Sequence, residues 1–233
     1  MPSTPAEDWD GAPLPSMANP ALLREPPATQ RGARTRATLV AAARRVFERV
    51  GYLDAHLTHI TREAKCSTGT FYTYFKSKAE IFAAVLEAVQ EDMLHPGMGR
   101  VPDDGDPYAV LAASNRAYLE AFRRNAKLMA LLEQVASIDP TFRELRRRRS
   151  EVFVRRNAKG IADLQNRGIA DPELDPVLAS RALSSMVSRV AYGVFAADNV
   201  QHDDDQHTTA DIDHVVATVT RLWANALRLP ERH

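Results

Sequence analysis

The chain has 233 residues, 45% of them hydrophobic, with 30 Lys+Arg balancing 30 Asp+Glu and a single cysteine. One cysteine excludes an internal disulfide framework and a multi-cysteine zinc site. The absence of any run of about 18 apolar residues excludes a membrane span, and the N-terminus lacks the basic flank and apolar core of a secretory signal. The expectation is a soluble cytoplasmic protein with enough apolar residues for a substantial core.

The first 27 residues hold seven of the fourteen prolines and no periodic apolar pattern, so a disordered tail is expected there. Neutrality overall hides a basic segment. Residues 28–78 carry ten Lys or Arg against Glu48, Asp54 and Glu63. Such a segment fits a polyanion partner or a solvated charged face.

From Arg34 onward the pattern is helical, and the fold class expected is all-α. Leu39, Ala42, Ala43, Val46, Phe47 and Val50 repeat at helical spacing, and Gly51 closes the helix as a C-cap. Leu57 to Ala64 reads as a short second helix, Lys65-Cys66 as a tight connection, and Ser67 as the N-cap of a third helix. A fourth starts at Lys78 and runs through Ile81, Phe82, Val85, Leu86 and Val89 to near His95-Pro96-Gly97. On the third helix, a turn of about 100° per residue puts Phe71, Phe75 and Tyr74 on the inner side. Gly69, Tyr72, Thr73 and Lys76 point away, with Thr70 flanking them. Hydroxyls, a phenol, a glycine and a lysine make a poor core and a good surface for phosphates and base edges. Two short helices joined by a tight turn, the second polar outward, are a helix-turn-helix.

The segments "LVAAARRVFERVGY" and "ITREAKCSTGTFYTYFKSKAEIF" resemble the DNA-binding domain of the tetracycline-repressor (TetR) family. The resemblance runs through Leu39, Ala42, Ala43, Phe47, Gly51, Tyr52, Ile60, Ala64, Ser67, Gly69, Thr70, Tyr72, Phe75, Ser77 and Lys78. It implies a homodimeric transcription factor, usually a repressor released from a palindromic operator by a small molecule. By position it implies that Thr68, Gly69, Thr70, Thr73 and Tyr74 face the major groove, although the helical wheel sets Tyr74 nearer the core. Tyr72 and Lys78 match phosphate contacts, and Thr58 a backbone contact at the entry of the second helix. Ser67 and Lys76, at the two ends of the third helix, complete the candidate DNA-binding set. Two residues depart from the family pattern: His56 stands at a Thr or Ser cap, and Lys65 at the turn glycine.

The expected organisation is a tail over 1–30, a DNA-binding domain over 31–93 with the helix-turn-helix at about 56–75, and a helical regulatory and dimerisation domain over 94–230. In that last region Tyr108 to Asn125 and Lys127 to Ile138 read as helices. Asp139-Pro140 and Asp175-Pro176 each pair an N-cap with a proline at the first helical position, opening helices to about Arg167 and Ala197. Asp211 to Leu227 is the last. The final two helices carry Leu183, Met186, Val187, Val190, Val194 and Phe195, then Ile212, Val215, Val216, Val219, Leu222, Trp223 and Ala226. These wide apolar arcs are either internal core or, as the resemblance implies, the pair that meets its twin in a four-helix bundle.

Arg146 to Arg149 span too much of a helical turn to share one solvated face. Arg149 and Arg156 fall on the apolar stripe, which fits an internal salt bridge, a snorkelling side chain or an acidic ligand such as a coenzyme-A thioester. Phe122, Met129, Phe153, Asn157, Met186 and Tyr192 are candidate ligand-pocket residues beside Arg149, or plain core. The run His202 to His207 reads as a solvated acidic loop rather than a metal site, and Cys66 as a small turn residue or a redox switch. No nucleophile–base pair or phosphate-binding glycine loop occurs, so neither catalysis nor a cofactor is expected. A ligand-responsive repressor is the leading reading. An activator or ligand-independent repressor, and a small-molecule or acyl-CoA binding protein or enzyme with a vestigial DNA-binding domain, stay open.

Overall fold

A computed structural model describes residues 27–89, 105–196 and 211–230, apart from the side chain of Arg149; these residues form nine α-helices and no strand. The predicted tail, the reach of the fourth helix to Gly97, and the His202–His207 loop lie outside the described residues. In chain order the helices are α1 (Gln30–Asp54), α2 (Leu57–Glu63), α3 (Thr68–Tyr74), α4 (Lys78–Ala88), α5 (Pro107–Arg124), α6 (Ala126–Ile138), α7 (Pro140–Asn166), α8 (Pro176–Phe195) and α9 (Ile212–Ala226). None of them is long and apolar enough to cross a membrane.

Local chemistry sets the boundaries. Helix α1 starts a turn earlier than its apolar stripe, because the Thr29 hydroxyl accepts from the Gly32 amide at 3.1 Å. Asp106, Asp139, Asp175 and Asp211 each accept a bond from a first-turn amide of the helix they precede, and three of them are followed by proline. At the other ends, α2, α7 and α9 close in left-handed caps at Lys65, Gly168 and Arg228. The crossed pair Lys65 N to Arg62 O (3.1 Å) and Cys66 N to Thr61 O (3.0 Å) finishes α2.

The expected helix end at Gly51 is instead a break inside α1. Gly51 adopts φ 77°, ψ 172°, a region open essentially only to glycine, and three further residues resume the helix to Asp54. The break swings Tyr52 inward, where its ring meets Phe47 at 5.8 Å and Phe82 of α4 at 4.9 Å. Both Tyr52 and Phe82 also reach Phe142 in the first turn of α7, at 6.4 and 5.3 Å. One continuous apolar cluster therefore runs from α1 through α4 into α6 and α7. Arg44 adds a polar tie, donating to the buried Asn125 between α5 and α6 at 3.1 Å.

Beyond that joint, α7 packs on α6 and α8, while α9 packs on α5. This decides between the two readings of the apolar arc on the last helix. Val215, Val216, Val219 and Trp223 are 8%, 4%, 1% and 2% exposed within a single protomer, so that arc is internal core. What the last two helices turn outward is sparser: Val177, Leu178, Val194 and Leu222. The half-buried Met186 and Val190 line up with Val194 at i, i+4, i+8.

An added Cβ at Gly51 meets nothing within 4 Å, so its substitution is a pure backbone effect. Gly51→Ala should lower unfolding free energy by about 1–3 kcal/mol, measured by urea denaturation. Lys65→Gly, which removes a side chain from a left-handed position (φ 52°), should shift stability the other way, by about 1 kcal/mol or less.

Candidate DNA-binding surface and ligand cavity

Helix α3 is anchored by two rings. Phe71 and Phe75 are 0% and 1% exposed, 5.8 Å apart, and lock which side of the helix faces in. Ser67 caps it, accepting from the Thr70 amide at 3.1 Å and lying 3.0 Å from the Thr70 hydroxyl. Thr68, Gly69, Tyr72, Thr73 and Lys76 are exposed along the opposite side, as is Thr58 at the start of α2. The Thr73 hydroxyl donates back to the Gly69 carbonyl at 3.2 Å. Thr70 is half-buried.

Two candidates sit differently from their sequence placement. Tyr74 is half-buried and packs against the core, as its helical angle required, so its ring is largely committed inward. Lys78 turns back on α1. Its Nζ donates to the Tyr52 and Leu53 carbonyls at 2.7 and 3.1 Å and lies 4.7 Å from the Tyr52 ring centre. Burial pulls its pKa down, opposed by the nearby Asp54 charge. Two of its three donors thus hold the broken end of α1, leaving one to reach outward.

Neighbouring groups fix this surface. The Ser77 hydroxyl accepts from the Glu80 amide, and the buried Glu80 carboxylate accepts in return from the Lys76 amide, a reciprocal cap at the α3–α4 corner. At α2, His56 lacks the family's hydroxyl cap, and its amide donates to the His59 ring at 3.4 Å. Glu63 bridges α2 to α1; the Arg45 hydrogen bond, backed by Arg49, holds its carboxyl below the usual range. Some of the basic excess is therefore structural, while Arg62, Lys65 and Lys76 stand exposed around α3. Burial pushes the Cys66 thiol pKa up, which disfavours the reactive thiolate.

A cavity of about 490 Å³ opens among α5 to α9, within the size range of small-molecule sites. Of the residues singled out in sequence, Phe122, Met129, Phe153, Asn157 and Tyr192 line it. Met186 does not, because it packs against the core beside it. The Arg149 side chain lies outside the described residues. Sequence reading missed Asn115 and Tyr118 of α5, Arg181 of α8 and Trp223 of α9, which meet only when the three helices pack together.

The arginine run is largely self-satisfied. Arg146 pairs with Glu133, and Arg147 and Arg148 both pair with Glu144 at 2.7 and 2.8 Å. Hydrogen bonds from Arg147 and Arg148 hold the Glu144 carboxyl at about 2. Arg156 is half-buried, 6.0 Å from the Phe153 ring, and burial pulls its pKa down.

Comparison with known proteins agrees with this geometry. Residues 39–85 match the family model "Bacterial regulatory proteins, tetR family". The chain is 26% identical over 163 residues to the HTH-type transcriptional regulator TtgR of Pseudomonas putida, covering 66% of this chain and 76% of that one. Its fold is shared with Salmonella enterica GusR at a TM-score of 0.62 and 20% identity, over 86% of this chain and 98% of that one. It is also shared with SmeT of Stenotrophomonas maltophilia in its complex with triclosan, at 0.66 and 18% identity, over 83% and 91%. The match to the tetR family of bacterial regulatory proteins thus falls on the ring-anchored helix-turn-helix, with the polar outer side of α3 inside it.

Proposed function

We propose that the chain is a ligand-responsive repressor that binds a palindromic operator as a homodimer and leaves it when a small molecule fills the cavity. The observation that carries the DNA reading is the exposed row Gly69, Tyr72, Thr73 and Lys76 on a helix whose opposite side is fixed by Phe71 and Phe75. A rigid inner face aims the row, and its chemistry suits a major groove: hydroxyls for base edges, a phenol and an ammonium for phosphates. Thr58, Thr68 and the remaining donor of Lys78 extend the contact to the backbone, while Thr70 and Tyr74 border it. Gly69 lets the helix approach closely. The small-molecule half of the reading is supported by the aromatic-walled cavity, and by a structural neighbour that carries triclosan.

Two protomers related by a two-fold axis would present their α3 helices to successive major grooves, about 34 Å apart. We assign the contact between protomers to α8 and α9 through the half-buried Val190 and exposed Val194 in the last turns of α8 and the exposed Leu222 of α9.

The protein should bind its own upstream region with affinity that falls steeply with salt, measured by fluorescence anisotropy. Tyr72→Phe and Lys78→Ala should weaken binding to all sequences, and Lys78→Ala should also lower the melting temperature by freeing the end of α1. Thr73→Ala should change sequence preference more than affinity. Gly69→Ala should raise stability by roughly 0.5–1 kcal/mol yet weaken operator binding; unchanged binding would remove α3 from the groove. For assembly, Val190→Glu or Leu222→Glu should give folded monomers in analytical ultracentrifugation, whereas Val219→Glu should unfold the chain because Val219 is core. A wild-type monomer at micromolar concentration would refute the dimer.

A further inference from the structure

The cavity wall changes character between its inner end and its opening. Phe122, Met129, Leu132 and Val187 line it and are buried. Its solvent-exposed lining includes four arginines, Arg146, Arg147, Arg181 and Arg189. Three of these hold carboxylates: Arg146 that of Glu133, Arg147 that of Glu144 at 2.7 Å, and Arg181 that of Glu151 at 3.0 Å. Glu144 also serves Arg148 and Glu151 also serves Arg155, so neither is spare. Arg189 differs. Among the described residues no Asp or Glu pairs with it, and its guanidinium carbon lies 5.5 Å over the centre of the Tyr192 ring. Tyr192 lines the same cavity, three residues along α8 and therefore a neighbour on the helix surface. A ring contact of this kind takes the flat face of a guanidinium and leaves its N–H edges to other partners. Arg181, Ser188 and Tyr192 fall within about 40° of arc on α8, with Val190 and Val194 on the opposite side. The dimer contact assigned above therefore leaves the opening clear.

We propose that the cavity takes an amphipathic organic acid, its apolar body among the buried residues and its carboxylate on the Arg189 guanidinium; this rests on reading the cavity as the effector site. A guanidinium edge presents two parallel N–H donors that match the two oxygens of a carboxylate. Because Arg189 is exposed, the head group keeps part of its hydration and escapes the penalty of full burial. Glu133 and Glu151 also line the cavity, but Arg146 and Arg181 neutralise them, which removes most of their repulsion. An ammonium head group would meet arginines with every carboxylate already held. A neutral molecule would fill the apolar end and leave Arg189 to water.

The test titrates the full chain without DNA, by calorimetry, with 2-naphthoate, the isosteric 2-naphthamide, benzoate and 2-naphthylmethylammonium. Naphthoate should bind about fivefold more tightly than naphthamide, the scale of one charged contact at an exposed site. That advantage should shrink as salt rises. Benzoate should bind roughly tenfold more weakly than naphthoate, because it buries less ring, and the ammonium should bind more weakly than the amide. In Arg189→Gln, naphthoate should fall to the level of naphthamide, with naphthamide itself unmoved. Equal binding of acid and amide overturns the proposal, as does benzoate binding as tightly as naphthoate, which would leave the ring outside the cavity. A naphthoate advantage that survives Arg189→Gln, tightest binding of the ammonium, or no saturable binding of any probe also overturns it. If Arg189→Gln does not fold, the affinity ratios and salt dependence of the parent decide alone. Operator release is followed separately by fluorescence anisotropy. Naphthoate that binds as expected yet leaves the operator complex intact refutes the effector reading and keeps this assignment. Release by naphthamide but not by naphthoate keeps the effector reading and refutes this assignment.

Discussion

Gly51 interrupts α1 in a backbone conformation that residues with a Cβ avoid, and three separate features hang on that interruption. It releases the last turn of α1 from the helix axis, so Tyr52 falls between Phe47 and Phe82 rather than outward. It exposes the Tyr52 and Leu53 carbonyls, which Lys78 collects from the start of α4. It also brings the Tyr52 ring to Phe142, so the helix-turn-helix is seated on α7 by aromatic contact rather than by chain connectivity alone. Asp139 lies close enough that its charge, after burial itself, pushes the Tyr52 pKa up. The phenol therefore stays neutral across the physiological range, and the joint is apolar throughout it.

Much of this was legible in the sequence, for reasons that differ by region. Helix existence and type followed from periodicity, and the caps Asp139, Asp175 and Asp211, two with a following proline, marked starts that the structure places within a residue or two. The orientation of α3 was readable because two phenylalanines four residues apart admit only one inner face. Lys78 was not fully readable. Family pattern places it at a phosphate, whereas its actual partners are carbonyls twenty-five and twenty-six residues upstream, exposed only because α1 breaks. Gly51 itself was seen, but as an end rather than a break, since a glycine at a helix terminus and one inside a kink look alike in one dimension.

The regulatory half was harder because its decisive pairings join distant helices. An apolar arc on α9 signals burial without naming the partner, and α5 turned out to supply it. Trp223 was legible as apolar and invisible as a donor, because only the three-dimensional surroundings show whether an indole N–H has found an acceptor. Four consecutive arginines looked like an excess of charge seeking an anion. The glutamates that answer Arg146, Arg147 and Arg148 lie at Glu133, on the preceding helix, and at Glu144, one turn back, so local and tertiary pairing together absorb the charge.

Helix α7 belongs to both ends of the problem. Its first turn carries Phe142 at the aromatic joint, and further along Arg146, Ser150, Phe153 and Asn157 line the cavity. At 27 residues it is about 40 Å long, and tight packing against α6 and α8 makes it move as a body rather than bend locally. Helix α6 packs along it, with Met129 and Leu132 on the cavity and its flank against α1. Any ligand that favours one setting of these two helices therefore acts on the seat of Tyr52 and, through Lys78 and Phe82, on the start of α4 beside α3. The reach of such a signal is bounded by thermodynamics: occupancy shifts the equilibrium only by the ligand's difference in affinity between the two settings. With Arg146, Arg147 and Arg181 on the cavity already paired with glutamates, that difference must come largely from shape and from few polar contacts.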